Sequence, residues 1–422
     1  MNNLSIYVVF AFLLSLVFSN LQAQRSEEKV FDNENFNRKV GTVQLMPMSA
    51  QGGAPFQPAI IPLSGGQLIL RFDLLEEEYS TLSARLIHCD AGWTKSALND
   101  IDYLRQYNAF DILDFDYSMN SQKMYVHYWF RIPRVLKSGN YIVQVFQDND
   151  KRKVLFQRRF VVYENVVGIQ PTVRVSTSAK FRRTHHQIDF SVFYKGVGKV
   201  ASPMTEFKAV VRQNNRWDNA LSSLKPSNMN VAQNRIDYKH FDGSNNILAG
   251  NEFRFFDLRT FSVRGLYVQS INRRMNPVHA QITPGEARGR FYSLTPDQNG
   301  YFIISTREAG ARSLEADYLN VTFRLKSEPI LDPVYITGAF NDWKQDENSM
   351  MMYDPQSKSY FRTILLKQGQ YDYQYVVGGD KPLQFEGTFL ETRNDYDILI
   401  YHRSFTDLAD RVVGYATFKS EL

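Results

Sequence analysis

Met124-Tyr125-Val126-His127-Tyr128-Trp129-Phe130-Arg131-Ile132-Pro133 is the stretch from which the fold follows. Met124, Val126, Tyr128, Phe130 and Ile132 alternate with Tyr125, His127, Trp129 and Arg131. That two-residue period marks a half-buried strand, because successive side chains of an extended chain point to opposite faces. Pro133 has no N–H to give a ladder and stops the run. Upstream, Leu68, Leu70 and Phe72 alternate in the same way. Downstream, Lys137-Ser138-Gly139-Asn140 reads as a tight turn into a strand over 141–146, and Asp148-Asn149-Asp150 as a hairpin turn into a strand over 154–163. A sandwich of about seven strands then closes near Tyr163.

Beyond it the pattern starts again. Pro171 precedes strands over 172–176, 188–194 and 207–212, and an Asn-, Ser- and Asp-rich stretch over 214–246 reads as loops around short strands. Strands over 265–271, 278–282 and 301–305 complete a second β domain near Gly310. In the last segment an alternating strand over 320–326 is followed by Val334-Tyr335-Ile336-Thr337-Gly338-Ala339-Phe340-Asn341-Asp342-Trp343, a strand running into a turn that ends on tryptophan. Strands over 360–366 and 369–377 come next. Helical content reads as small, with 90–103 and 308–318 the segments that best suit a helical turn or two. The fold class is all-β: three consecutive immunoglobulin-like or β-sandwich domains, at 24–166, 167–312 and 313–422, behind a signal peptide at 1–23.

Composition points the same way. Phe (31) and Tyr (24) are abundant and favour strands. Lys and Arg (49) are interspersed with Asp and Glu (44), so the charge pattern offers neither a nucleic-acid groove nor a polybasic lipid anchor. From Ile6 to Phe18 the chain is apolar but for one serine, and Ser19, Asn20, Leu21, Gln22 and Ala23 follow; this reads as a secretory signal cleaved between Ala23 and Gln24. The n-region lacks Lys and Arg, which makes a signal anchor the competing reading, but the run is shorter than the roughly 20 apolar residues that a span needs. No later stretch is long and apolar enough to cross a bilayer as a helix. Cys89 is the one cysteine, so no intramolecular disulfide forms and no lipidated cysteine follows the signal. Within the strand-like run 84–89 it reads as a buried inert thiol. An exported protein without disulfides fits a bacterial envelope.

Catalytic motifs do not appear. His185 and His186 are the only close histidines, and on a strand they face opposite ways, so no metal site is expected. No Gly-x-Ser-x-Gly, His-Glu-x-x-His or phosphate loop occurs. Carboxylates at Glu76-Glu77-Glu78, Asp100/Asp102, Asp111/Asp114/Asp116 and Asp395/Asp397 lie beside turn residues, where they serve solvation and local hydrogen bonding. These observations imply a non-enzyme without cofactors.

Two resemblances add to this reading. The last hundred or so residues resemble the early-set immunoglobulin-like module of starch- and glycogen-processing enzymes, with its Gly-Phe-Asn-x-Trp turn and Gly-x-Tyr-x-Tyr strand; here these are Gly338 to Trp343 and Gly369 to Tyr375. The module's later Asp-Gly-x-Trp is replaced by Val377-Gly378-Gly379-Asp380-Lys381-Pro382. A glycan-binding protein of the periplasm or surface, using Trp343 and Tyr373, is the alternative function.

Across nearly the whole chain, a longer series of motifs resembles the type IX secretion system plug protein family of Bacteroidota. It comprises His88-Cys89-Asp90-Ala91-Gly92-Trp93, Tyr103-Leu104, Tyr125 to Tyr128 with Ile132-Pro133, Ser138 to Tyr141 and Arg158-Arg159-Phe160 in the first domain. Gly250 to Arg254 with Phe256-Asp257, Lys367-Gln368-Gly369, Tyr371 to Tyr375, Glu386 to Phe389, Glu391-Thr392, Asn394 to Tyr396 and Asp410-Arg411 continue it. The resemblance implies a periplasmic protein at the inner face of the outer membrane. It would cap the periplasmic opening of the large β-barrel translocon when that barrel is idle. Trp93, Tyr103, Trp129, Trp343 and Tyr373 are the candidate partner or ligand contacts.

Overall fold

The computed structural model describes residues 29–49, 52–308 and 313–421. The expected signal cleavage at Ala23 and Gln24 lies outside the described residues. Among the described residues the regular structure is nearly all strand, arranged as six sheets that pair into three sandwiches.

In the first sandwich one sheet runs in the order Glu34–Asn35, Val154–Tyr163, Gly139–Gln147, Leu82–Cys89, Phe110–Ile112, with Ile60–Pro62 parallel to Val154–Tyr163. The facing sheet is ordered Gly52–Gly53, Val40–Ser49, Leu68–Leu74, Val126–Arg131, Asp114–Tyr117. The period-2 reading holds at its centre. Phe72 lies opposite Tyr128 in register, the two rings stack at 5.1 Å, and Phe156 of the other sheet meets Phe72 edge-on at 4.8 Å. The strand Val40–Ser49 was not legible in the sequence, because Gly41, Pro47 and three polar residues blur its alternation.

The strand Gly139–Gln147 is buried at all but its last position. Val143 and Val145 fill the sandwich core, while Ile142 on the opposite face belongs to a separate apolar cluster. A sheet in an isolated sandwich would keep its outer face polar; here both faces are covered, and Ile87, Cys89, Ile142 and Val161 are outer-face residues. Each fully buried aliphatic side chain of this kind contributes about 1.5–3 kcal/mol.

The second sandwich pairs a sheet built on Gly168–Val175, His185–Phe193, Arg235–Tyr238 and Asn228–Asn230 with one ordered Leu221–Leu224, Phe207–Gln213, Asp395–His402, Arg411–Lys419. Its core joins Ile188, Phe190 and Val211 to Ile398, Ile400 and Val413. The third sandwich sets Arg254–Asp257, Gly369–Val377, Phe302–Ile304 and Val334–Thr337 against a sheet containing Val268–Asn272, Val278–Ile282, Tyr318–Lys326, Ser359–Lys367 and Met352–Asp354.

The sheets correct the domain boundaries. The chain leaves the second sandwich after Asn246–Leu248, builds the third from Arg254–Asp257 onward, and returns to donate its last two strands to the second. The division at 312/313 therefore separates strands that share a core. Strands Arg254–Asp257, Val268–Asn272, Val278–Ile282 and Phe302–Ile304 belong with the C-terminal segment, and Asp395–His402 with Arg411–Lys419 belongs with the central one. Alternation identifies a strand but not the sheet that receives it: Tyr396, Ile398 and Ile400 carry the same pattern as the strands of the third core. The helical content is small: a single turn at Asp100–Tyr103 and a 3₁₀ turn at Ser313–Glu315 fall in the two expected segments, while short turns at Lys195–Val197, Pro203–Glu206, Val231–Gln233 and Ala339–Asn341 fall outside them.

Candidate functional site

Part of the family-like signature, including Cys89 to Trp93, Tyr125, Lys367 and Asp410-Arg411, lies at the seams between sandwiches, and the rest fills their cores. Between the first and second, Phe31, Cys89, Trp93, Ile142 and Val161 meet Val210, Leu399, Tyr401 and Val412. Around this apolar patch runs a polar rim. Ala91 N–H donates to Asp410 Oδ2 (2.9 Å), Asp410 N–H to Asp90 Oδ1 (2.9 Å), and Tyr401 OH to Asn140 Oδ1 (2.9 Å). Arg411 pairs with Glu164 at 2.6 Å. Burial pushes the Cys89 thiol up to about 12, so it is a protonated, unreactive filler of the seam.

Between the first and third sandwiches the chemistry is ionic. Asp73, 1% exposed, accepts from Lys367 Nζ (2.7 Å) and Tyr318 OH (2.6 Å) through Oδ2, and its Oδ1 lies 2.6 Å from His127 Nδ1. Burial pushes the Asp73 carboxyl up, but the Lys367 charge and the His127 contact outweigh it and hold the group below its usual range. Tyr125 caps the network: Lys367 Nζ sits 4.0 Å from its ring centroid, and its hydroxyl donates to the carbonyls of Leu314 and Ala316.

All three sandwiches meet around a cavity of about 290 Å³ lined by Arg158, Arg159, Arg212, Trp217, Tyr301 and Trp343, among others. Arginines and tryptophans alternate across this region. Arg159 lies over Trp93 at 4.5 Å, Trp93 meets Trp217 edge-on at 4.8 Å, Arg212 lies over Trp217 at 4.3 Å and Arg216 over Trp343 at 4.0 Å. Each of the four arginines also has a carboxylate: Arg158 with Asp342, Arg159 with Asp32, Arg212 with Asp397 and Arg216 with Asp218. Trp93 and Trp343 end tight turns at φ of 62° and 61°. A bulky side chain is strained in that left-handed region, and it stays there because the stacked arginine and neighbouring sheets leave it no alternative.

These contacts place the expected site residues. Trp93 (4% exposed), Tyr103 (2%), Trp343 (8%) and Tyr373 (3%) are interior. Tyr103 donates to the Leu86 carbonyl (3.1 Å) and to Asp100 (2.6 Å), and Tyr373 lies in the core of the third sandwich. Trp343 rests on Phe253 and beneath Arg216. Burial leaves these four rings no face for a sugar or a partner, and the contact reading is corrected for them on that ground. Trp129 alone of the five is partly exposed. His185 and His186 do face apart: the first lies against Phe181, while the second is held by Tyr396 OH and the Leu390 carbonyl. Among the described residues no three acidic, histidine or cysteine side chains converge as metal ligands. The arrangement fastens three sandwiches into one body.

Residues 40–164, the span from Val40–Ser49 through Val154–Tyr163, match the family model described as type 9 secretion system plug protein 1st domain. That span is thus similar to the first domain of type 9 secretion system plug proteins. A crystal structure of a hypothetical protein from Parabacteroides merdae ATCC 43184 is similar at 30% sequence identity, with a TM-score of 0.86 over 93% of this chain and 100% of that one. The plug domain is thus one part of a three-sandwich body whose arrangement recurs in that relative. No curated protein matches the chain. Among the described residues, no helix is long and apolar enough to cross a membrane.

Sequence reasoning missed the functional weight of Asp73, Lys367, Arg212 and Trp217. Lys367 did carry a signal, as part of the Lys-Gln-Gly motif at 367–369. Asp73 and Arg212 gave none, because a charged residue on a strand reads as solvent-facing until the covering sheet is known.

Proposed function

We propose that the protein is a non-catalytic plug of the periplasm that closes the periplasmic opening of the outer-membrane type IX secretion barrel while no substrate is in transit. The match of residues 40–164 to the plug first domain carries this reading. A barrel wide enough for folded cargo leaks unless one end is closed, and a plug serves best when it need not order itself on docking. The apolar and ionic seams meet that requirement, because they hold three sandwiches in fixed relation. The partly exposed Trp129, on the strand Val126–Arg131 of the plug domain, is the one ring of the expected contacts with a face open to the barrel.

Affinity purification of the tagged chain from detergent-solubilised outer membranes tests the proposal. A large β-barrel subunit is expected to co-purify, and deletion of the gene is expected to make cells more sensitive to antibiotics that the outer membrane normally excludes. Absence of the barrel together with unchanged antibiotic sensitivity would overturn it.

A further inference from the structure

The outer face of the strand Gly369–Val377 holds a carboxylate without a cation. Tyr371, Tyr373 and Tyr375 of that strand fill the core, so Asp372 points the other way, and it is 1% exposed. A loop over 296–301 lies across it. The N–H groups of Gln298 and Gly300 donate to Asp372 Oδ2 at 2.5 and 3.2 Å, and the Tyr301 carbonyl accepts from Asp372 N–H at 3.0 Å. Asp297 of the same loop accepts from the N–H of Phe253 and, at 2.9 Å, from that of Asn299. The loop also reaches the second sandwich, through Asn299 Nδ2 to Asp395 (2.9 Å) and Asn215 to Tyr301 OH.

Buried carboxylates are normally paired with a cation or bound to a metal. Here Asp372 feels the charge of Asp297, and Arg288, the cation nearest in effect to Asp297, is bonded to Glu386 at 2.6 Å. Burial first, and neighbouring carboxylates next, push both groups up to about 7. Three further observations point to a missing partner. Asp372 Oδ1, Gln298 Oε1 and Thr337 Oγ1 are buried without any hydrogen bond. Thr337 is 1% exposed, and its register opposite Gln374 puts it on the same sheet face as Asp372. An open cavity of about 810 Å³, lined by Glu252, Asp297, Glu391 and Asp395 together with Arg393 and Lys419, adjoins the loop and gives an entry path from the Asp297 side.

We propose that Asp297 and Asp372 bind a calcium ion, with the Gln298 side-chain oxygen and water completing its oxygen shell, and that the ion locks the 296–301 loop between the third and second sandwiches. Hard oxygen donors of mixed kind and flexible number suit calcium better than magnesium, which demands near-ideal octahedral geometry. No third carboxylate converges on the point, so affinity falls in the weak range of extracellular modules, about 10⁻⁴ to 10⁻³ M. This proposal stands independently of the plug reading.

The test is thermal unfolding and titration calorimetry of the full chain, freed of metal with chelator, in calcium chloride or magnesium chloride up to about 10 mM, several-fold above the expected dissociation constant. Calcium is expected to bind saturably and to raise Tm by about 2 °C or more, with magnesium markedly weaker. Asp372→Asn and Asp297→Asn are expected to abolish both effects, while the exposed Asp380→Asn keeps them. Without metal, Asp372→Asn should melt no lower than the parent, since it removes a buried unpaired charge; a purely structural role would lower Tm and leave any calcium response intact. Two variants guard against one failing to fold, and the parent's own titration stands without either. No calcium binding by the parent, or an equal response in a folded Asp372→Asn variant, would overturn the proposal. Stabilisation by mild acid alone, with no metal response, would show that the pair shares a proton instead.

Discussion

Against the second sandwich the first presents Phe31, Cys89, Trp93, Ile142 and Val161; against the third it presents Asp73, Tyr125 and His127. Both seams bury whole side chains, yet they respond to opposite perturbations. The apolar seam gains from area removed from water, and its charges lie only in the rim around it. The ionic seam is held by one carboxylate with three partners, so losing a single partner strands a charge in the interior. A plug that must stay shut gains permanence from the first kind of contact and a defined register from the second.

The largest break comes at the ionic seam. Lys367→Ala leaves Asp73 buried beside a space, and is expected to lower unfolding free energy by about 3–5 kcal/mol in a urea titration. Adding Asp73→Asn to Lys367→Met should recover most of that loss. If the double variant is as unstable as the single one, charge pairing is not what holds this seam.

Leu399→Ala in the apolar seam is expected to lose roughly 2–4 kcal/mol, because the facing sheets collapse only partly into the space. This loss should be the same at pH 7 and pH 3, whereas that of Lys367→Ala should shrink as the unpaired Asp73 takes up a proton. Equal pH dependence for the two would erase the distinction between the seams.

Acid separates them more gently. Asp73 has a folded pKa below that of an unfolded aspartate, so its contribution is fully present above about pH 4 and is lost as pH falls through the lower folded value. Hydrogen exchange between pH 5 and 2 should therefore show loosening along Lys367 and Tyr318 before the strand that carries Leu399. Opening first at the apolar seam would contradict the assignment.

The smallest effect belongs to Trp129, whose ring is partly exposed. Trp129→Ala should cost only about 1 kcal/mol of stability, less than either seam variant. If the barrel uses this face, the variant nevertheless recovers less barrel subunit in the affinity purification; unchanged recovery would move the contact elsewhere.

Fold class and the first sandwich were legible because one face of each strand must be apolar. The alternation at Val126, Tyr128, Leu70 and Phe72 records that directly, and so does the turn at Lys137 to Asn140. The seam motif Asp90 to Trp93 was legible as a signature but not as a contact, since its partners Asp410 and Trp217 are more than a hundred residues away. Trp343 and Tyr373 misled for a related reason: an aromatic at a turn or on a strand looks the same in sequence whether it faces a ligand, a core or an arginine.

The chain's amino-acid pattern by itself determined that this is a β protein built of sandwiches, with a protected thiol and no recognisable catalytic motif. Tertiary structure alone decided that the third sandwich is inserted within the second, that Asp73 and Lys367 are partners, and which outer sheet faces are covered. The physical reason is that strand formation is encoded by period-2 neighbours, whereas sheet membership and charge pairing depend on contacts between residues far apart in the chain. No local pattern records those contacts.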